Sequence, residues 1–142
     1  MIPTSHLHPM LVHFPIALVL IGFLAEVAFL FYKKEVCLSK MGYYLLIIGT
    51  LSAGVAWLSG DLFTSEMDGE AGKIREIHEL FATITLCLLL ATSVLRSFLL
   101  LRHVENQNLD RLAFLLFGLA AISVSITGFF GGNLVYTYML GL

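Results

Sequence analysis

The chain has 142 residues, of which 58% are hydrophobic and 13% are charged, and its formal net charge is −2. A soluble domain of this length could not cover so much apolar surface, so the composition indicates a protein that is embedded in a lipid bilayer. The length indicates a single domain, residues 1–142. The slightly negative charge argues against a nucleic-acid-binding protein. The two cysteines form no CxxCH motif, which excludes a covalently attached c-type haem.

Four apolar stretches are long enough to cross a bilayer as helices, which takes roughly 20 residues each. They cover about residues 10–32, 41–63, 80–101 and 112–134. Helices are expected because lipid offers the backbone no hydrogen-bond partners, and strand-like alternation is absent. Short connections make neighbouring helices antiparallel. The predicted fold is therefore an all-α integral membrane four-helix bundle.

The positive charges predict the orientation of this bundle. Six of the eight basic residues flank or occupy the first and third connections: Lys33, Lys34, Lys40, Arg96, Arg102 and Arg111. The second connection carries only Lys73 and Arg75, among several acidic residues. By the positive-inside rule both termini and the acidic connection face outward, towards the periplasm if the membrane is a bacterial inner membrane.

Four of the five histidines lie near the predicted outer ends of spans: His6, His8, His13 and His78. His13 comes just before Pro15, which should kink the first span because it removes a backbone hydrogen bond. His78 opens the third span. A polar side chain at the edge of the apolar core is costly unless it has a partner, so His13 and His78 are candidate ligands.

An internal echo relates the two halves of the chain. The stretch "AWLSGDL" at 56–62 resembles "GFFGGNL" at 128–134, and His13 and His78 each precede an alanine by four positions. This pattern favours a duplicated helical hairpin, whose halves would be related by an axis along the membrane normal. Such an axis would set His13 and His78 facing each other.

Two facing imidazoles between helices are typical of the axial ligands of a b-type haem. A porphyrin also needs small residues where its faces pass the backbone, and Gly60, Gly128 and Gly132 are candidates; close helix–helix packing is the alternative reason for them. We therefore expect a haem b electron-transfer protein or subunit with a bis-histidine site near the outer face. It would pass electrons from a quinol or a membrane reductase to a periplasmic acceptor such as a c-type cytochrome.

Two other functions fit the same residues. His13, His78, His8 and Asp61 offer nitrogen and oxygen ligands for Cu or Zn. Alternatively, the histidines contact a partner or a second copy of the chain, and the protein is a non-redox structural or assembly subunit. No catalytic residue is identified, so enzymatic activity is left open. Glu26, a carboxylate well inside the first span, is a further functional candidate because an acid within a membrane is costly.

The residues at the ends of the spans resemble a known family. "HPMLVHFPIAL" at the start, "SGDL" closing span 2, a histidine opening span 3 and "GGNLVY" closing span 4 look like the bacterial four-span membrane proteins of domain-of-unknown-function family 2231. The resemblance covers nearly the whole chain and implies four spans. Family members have no assigned activity, but some are joined to, or encoded near, cytochrome c or Rieske-type domains, which implies redox partners. They often carry an acidic residue in place of Asn133 and a histidine near Thr137 and Tyr138.

Overall fold

The structure is a computed structural model that describes residues 7–63 and 68–139. Five α-helices follow one another, and a short π-helix continues the last one: α1 Leu7–Leu11, α2 His13–Phe31, α3 Val36–Phe63, α4 Gly69–Leu101, α5 Gln107–Asn133 and the π-helix Leu134–Met139. The described residues contain no β-strand. The predicted all-α class is thus confirmed.

Four helical stretches are long and apolar enough to cross a membrane: Leu7–Phe31, Val36–Leu62, Gly69–Leu101 and Gln107–Tyr138. Each begins before the predicted span that it overlaps; the first two end one residue before the predicted bound, the third ends at residue 101 as predicted, and the fourth continues past residue 134. The 33 residues of α4 make a helix about 50 Å long, whereas the hydrocarbon core of a bilayer is about 30 Å thick. The first turns of α4, which carry Glu70, Lys73 and Arg75, therefore extend out of the apolar layer.

The bundle consists of two helical hairpins packed against each other: the first comprises α2 and α3, with α1 packed mainly against α3, and the second comprises α4 and α5. Contacts are most extensive within each hairpin, while α3 meets α4 and α2 meets α5 between the hairpins. Val19, Leu46, Leu89 and Phe117 are completely buried at the centre, one from each long helix. Large apolar side chains cover the outside, for example Leu24 and Leu51, and this surface suits lipid.

The first span is interrupted at Val12, which separates α1 from α2. Pro15 has no N–H to donate to the carbonyl of Leu11, so the helical ladder loses a bond at this point. The neighbouring bond from the Ile16 N–H to the Val12 carbonyl is long, at 3.5 Å. The interruption accompanies the packing of α1 against α3, which places His8 inside the end of the bundle that holds α1 and the first turns of α4. This end is called the outer end, because the positive charges predict that it faces outward.

Equivalent positions recur in the two hairpins. Buried positions of α2 and α4 correspond at a separation of 70 residues, as in Val19 with Leu89. Those of α3 and α5 correspond at 71 residues, as in Leu46 with Phe117. The equivalences differ from those that the sequence echo suggested, which paired His13 with His78 and Gly60 with Gly132. The structural equivalences pair His8 with His78 and Gly60 with Gly131, because they follow the pattern of buried positions and not the similarity of residue types.

Candidate bis-histidine site

The imidazole rings of His8 and His78 meet at the outer end of the bundle. Their centroids lie 6.1 Å apart and their planes are nearly perpendicular, at 82°. His8 belongs to α1 and His78 to the first half of α4, so each hairpin contributes one ring. Both residues are half-buried. The two rings occupy the equivalent positions that are 70 residues apart.

His8 is held by the end of α3. Its Nδ1 atom lies 2.8 Å from the Oγ atom of Ser59, and that hydroxyl donates to the carbonyl of Ala56 over 2.7 Å. Gly60 is the next residue, and a Cβ atom there would lie 3.1 Å from Cε1 of His8. The absence of a side chain at Gly60 therefore lets the imidazole lie directly against the helix.

His78 is held by α5 in the corresponding way. Its Nδ1 atom lies 3.0 Å from the carbonyl oxygen of Thr127, and a Cβ atom at Gly131 would lie 3.0 Å from its Cε1 atom. A carbonyl oxygen only accepts, so Nδ1 of His78 carries the proton and Nε2 carries the lone pair. Neither His78 nor His8 forms a hydrogen bond through Nε2 with the residues that the structure describes.

A small cluster of hydroxyl groups supports the carbonyl that holds His78. The Thr127 hydroxyl donates to Ser123 O, and it lies 3.3 Å from the Thr85 hydroxyl, which contacts the Ser123 hydroxyl at 2.7 Å. Thr85 and Ser123 are buried. These bonds join α4 to α5 one to two turns below the imidazoles, so the outer half of the second hairpin is tied together beneath His78.

His13 lies elsewhere. Its ring is exposed, and its Nδ1 atom donates to the carbonyl of Pro9 over 2.7 Å. The ring that meets His78 is that of His8, five residues earlier. Five helical residues rotate a side chain by about 140°, so the two histidines do not share a face. The sequence analysis expected His13 to face His78, whereas in the structure His8 faces His78. Ligation by His13 stays a prediction.

The other predicted site residues do not lie together at one site. Asp61 is exposed. Gly128 packs against Ile16, because a Cβ atom there would lie 3.0 Å from Cδ1 of that residue. A Cβ atom at Gly132 would have no neighbour within 4 Å among the described residues. Both glycines line an open cavity of about 470 Å³. Gly60 alone of the three predicted glycines is described in contact with an imidazole.

The four-residue metal set is not assembled within residues 7–63 and 68–139, where no three His, Cys, Asp or Glu side chains lie close enough to hold an ion. His6 lies outside the described residues. Sequence reasoning missed Ser59, Thr127 and Gly131. Gly131 becomes recognisable as the counterpart of Gly60 once the separation of 71 residues is used, but a carbonyl such as that of Thr127 leaves no signal in the sequence.

A second polar pair lies in the half of the bundle opposite the imidazoles, called the inner half. Glu26 and Arg96 form an ion pair between α2 and α4, with side chains that are 6% and 18% exposed. They are equivalent positions, again 70 residues apart. Gly42 provides the space, because a Cβ atom there would lie 2.7 Å from Cγ and Oε1 of Glu26. A basic residue near the end of a span typically extends to the membrane surface, whereas Arg96 turns towards Glu26.

The comparisons with known proteins give a family. The model of the family described as "Predicted membrane protein (DUF2231)" matches residues 4–142. No curated protein matches the chain, and no solved structure does.

Proposed function

The chain belongs to the family of predicted membrane proteins DUF2231, and we propose that it is a b-type haem protein or subunit that transfers electrons at the outer face of the bacterial inner membrane. His8 and His78 are the axial ligands, and His8 takes the place that the sequence favoured for His13. Both termini and the connection between α3 and α4 face the periplasm, as the charge distribution indicates.

The separation of the two imidazoles is the observation that carries this proposal. A metal bound between two imidazole nitrogens, with bonds of about 2 Å each, separates the ring centroids by about 6 Å. The centroids of His8 and His78 are 6.1 Å apart. The Nδ1 atom of His8 is bonded to Ser59, and the Nδ1 atom of His78 is bonded to the carbonyl of Thr127. Histidines that bind a metal through one ring nitrogen are typically oriented by such a bond at the other nitrogen. The Nε2 atoms remain for iron.

The number of ligands favours haem over a bare metal ion. A porphyrin supplies four equatorial nitrogens, so haem iron needs only two imidazoles to complete its coordination. Zinc takes three or four ligands from the protein. A pair of histidines, one from each hairpin, is thus a full set for haem and a partial set for zinc.

Two axial ligands also favour electron transfer over catalysis at iron, because no open position remains for a substrate. The iron carries the redox change when haem is bound, and the chain supplies ligation, orientation and a low-polarity surrounding. Val19, Leu89 and Phe117 lie below the hydroxyl cluster and form an apolar centre. The site therefore serves the outer side of the membrane, with a quinol or a membrane reductase as electron donor.

The electron acceptor follows from the charge around the site. The stretch from residue 61 to residue 79 carries two basic residues, Lys73 and Arg75, and six acidic ones: Asp61, Glu66, Asp68, Glu70, Glu76 and Glu79. A negative surface speeds the approach of a positively charged partner. A soluble c-type cytochrome with a basic docking surface is the acceptor that we propose.

The test is an absorption spectrum and elemental analysis of the purified protein, before and after haem is supplied. We expect iron and a bis-imidazole haem spectrum that is lost in His8→Ala and in His78→Ala. His13→Ala and His103→Ala are the controls and keep the spectrum. Loss in His13→Ala but not in His8→Ala restores the ligand pair that the sequence suggested. Copper or zinc in place of iron, or nothing bound after supplementation, overturns the haem proposal.

A further inference from the structure

The hydroxyl of Ser59 contacts a histidine and a backbone carbonyl together. Its Oγ atom lies 2.8 Å from Nδ1 of His8 and donates over 2.7 Å to the carbonyl of Ala56. Ser59 is 4% exposed, so water does not replace these contacts. A hydroxyl has a single proton and a carbonyl only accepts. The Ser59 proton therefore points to Ala56, and a lone pair of Oγ faces His8.

This direction determines which nitrogen of His8 carries the proton. Nδ1 must donate if Oγ of Ser59 accepts, so neutral His8 is in the Nδ1–H tautomer and its lone pair lies on Nε2. His78 has the same tautomer but a different acceptor, because its Nδ1–H group donates to the carbonyl oxygen of Thr127. Both rings of the pair thus present an unprotonated Nε2.

Resting on the function proposed above, we propose that Ser59 is the positioning residue that holds His8 in the Nδ1–H tautomer required for ligation of haem iron through Nε2. The two ligands differ in what maintains this state. A backbone carbonyl orients His78, and no substitution of a side chain removes it. A side-chain hydroxyl orients His8, so Ser59 is the group through which the strength of one axial ligand is adjustable.

Removal of the hydroxyl has two consequences. His8 loses its side-chain acceptor and keeps only its contact with the backbone carbonyl of Ala56, so the proton of the neutral ring moves in part to Nε2, the nitrogen that iron needs. Nδ1 also ceases to donate, which lowers the basicity of the ligand, and outer contacts of this kind change metal affinity about 10- to 100-fold. Ser59→Ala should therefore weaken haem binding about tenfold or more and raise the reduction potential, because a more basic imidazole favours ferric iron.

The first experiment needs no haem. ¹⁵N-histidine NMR of the full chain in detergent micelles at alkaline pH, where imidazoles are neutral, reports the tautomer of His8. We expect Nδ1–H in the unaltered protein and in Ser59→Thr, and a mixture in Ser59→Ala and in Ser59→Cys, whose sulfur accepts weakly. Ser125→Ala is the matched control, because within the described part of the chain the exposed Ser125 hydroxyl bonds only to the carbonyl of Ala121. An Nε2–H tautomer in the unaltered protein, or no change in Ser59→Ala and Ser59→Cys, overturns the role of Ser59.

The second experiment measures haem affinity and reduction potential in the same variants. Weaker binding and a higher potential in Ser59→Ala, restored by Ser59→Thr and absent in Ser125→Ala, support the positioning role. Equal affinity and potential in Ser59→Ala and in the unaltered protein overturn it. If no variant binds haem while the tautomers change as expected, the proposed function fails and the hold of Ser59 on the tautomer stands.

Discussion

Glu26 and Arg96 pair across the interface between the two hairpins, from equivalent positions that are 70 residues apart. One half of the chain carries the acid and the other the base at the same depth. An acid or a base alone in an apolar layer is costly, and the pair removes most of that cost. The pair therefore joins α2 to α4 in the inner half, whereas the imidazoles of His8 and His78 join α1 to α4 at the outer end.

Loss of one member of this pair should destabilise the protein. Glu26→Ala or Arg96→Ala leaves a buried charge without its counter-ion, which costs about 3–5 kcal/mol. The double variant should be less destabilised than the sum of the two single ones, because neither charge is then left alone. Denaturant unfolding in detergent measures the three free energies, and additive losses would show that the pair is not coupled.

Gly42 should tolerate no side chain. A Cβ atom there would lie 2.7 Å from Glu26, so Gly42→Ala must displace the carboxylate and should cost about 1–3 kcal/mol of unfolding free energy. Gly54→Ala is the control, because a Cβ atom there has no neighbour within 4 Å in the regions 7–63 and 68–139. Alanine is the better helix former by about 1 kcal/mol, so this control should be neutral or stabilised. Equal effects at both positions would contradict the proposed contact.

Gly60 and Gly131 should both be needed for haem binding. A Cβ atom at either position would lie 3.0–3.1 Å from the Cε1 atom of an imidazole. Alanine at either position should therefore shift one ring and reduce haem affinity, as a titration followed by absorption would measure. Gly54→Ala again serves as control, and affinity that is unchanged in both glycine variants would show that the rings have room to move.

The orientation of the bundle is open to a direct measurement. Six basic residues at one end of the spans predict that both termini are periplasmic. Alkaline phosphatase, which is active only after export, should be active when it is fused after Leu142. Green fluorescent protein fused at the same place should not fluoresce after export through the general secretory route. The reverse pattern would place both termini in the cytoplasm.

Much of the fold follows from the sequence, and the site follows only in part. The apolar runs are long and uninterrupted, so spans that match the helices in number and approximate position were predictable. His78 was recognisable because it opens a span. His8 was not favoured over His13, since both lie near Pro9 and Pro15 and the interruption at Val12 decides which ring turns inward. The sequence around Arg96 is typical of a residue that extends to the surface, and only the structure shows that Gly42 leaves space for Glu26, with which Arg96 pairs.

By itself the sequence determined that the chain lies in a membrane and that four helices cross it, because lipid offers the polar backbone of these apolar stretches no hydrogen-bond partners and a helix satisfies the backbone internally. Only the tertiary structure decided which of those helices' polar groups meet. Contacts such as His8 with His78, or Glu26 with Arg96, depend on helix rotation and register, and shifts of one residue rotate a side chain by about 100°. Such angles are set by packing between hairpins and leave no mark in composition or in local pattern.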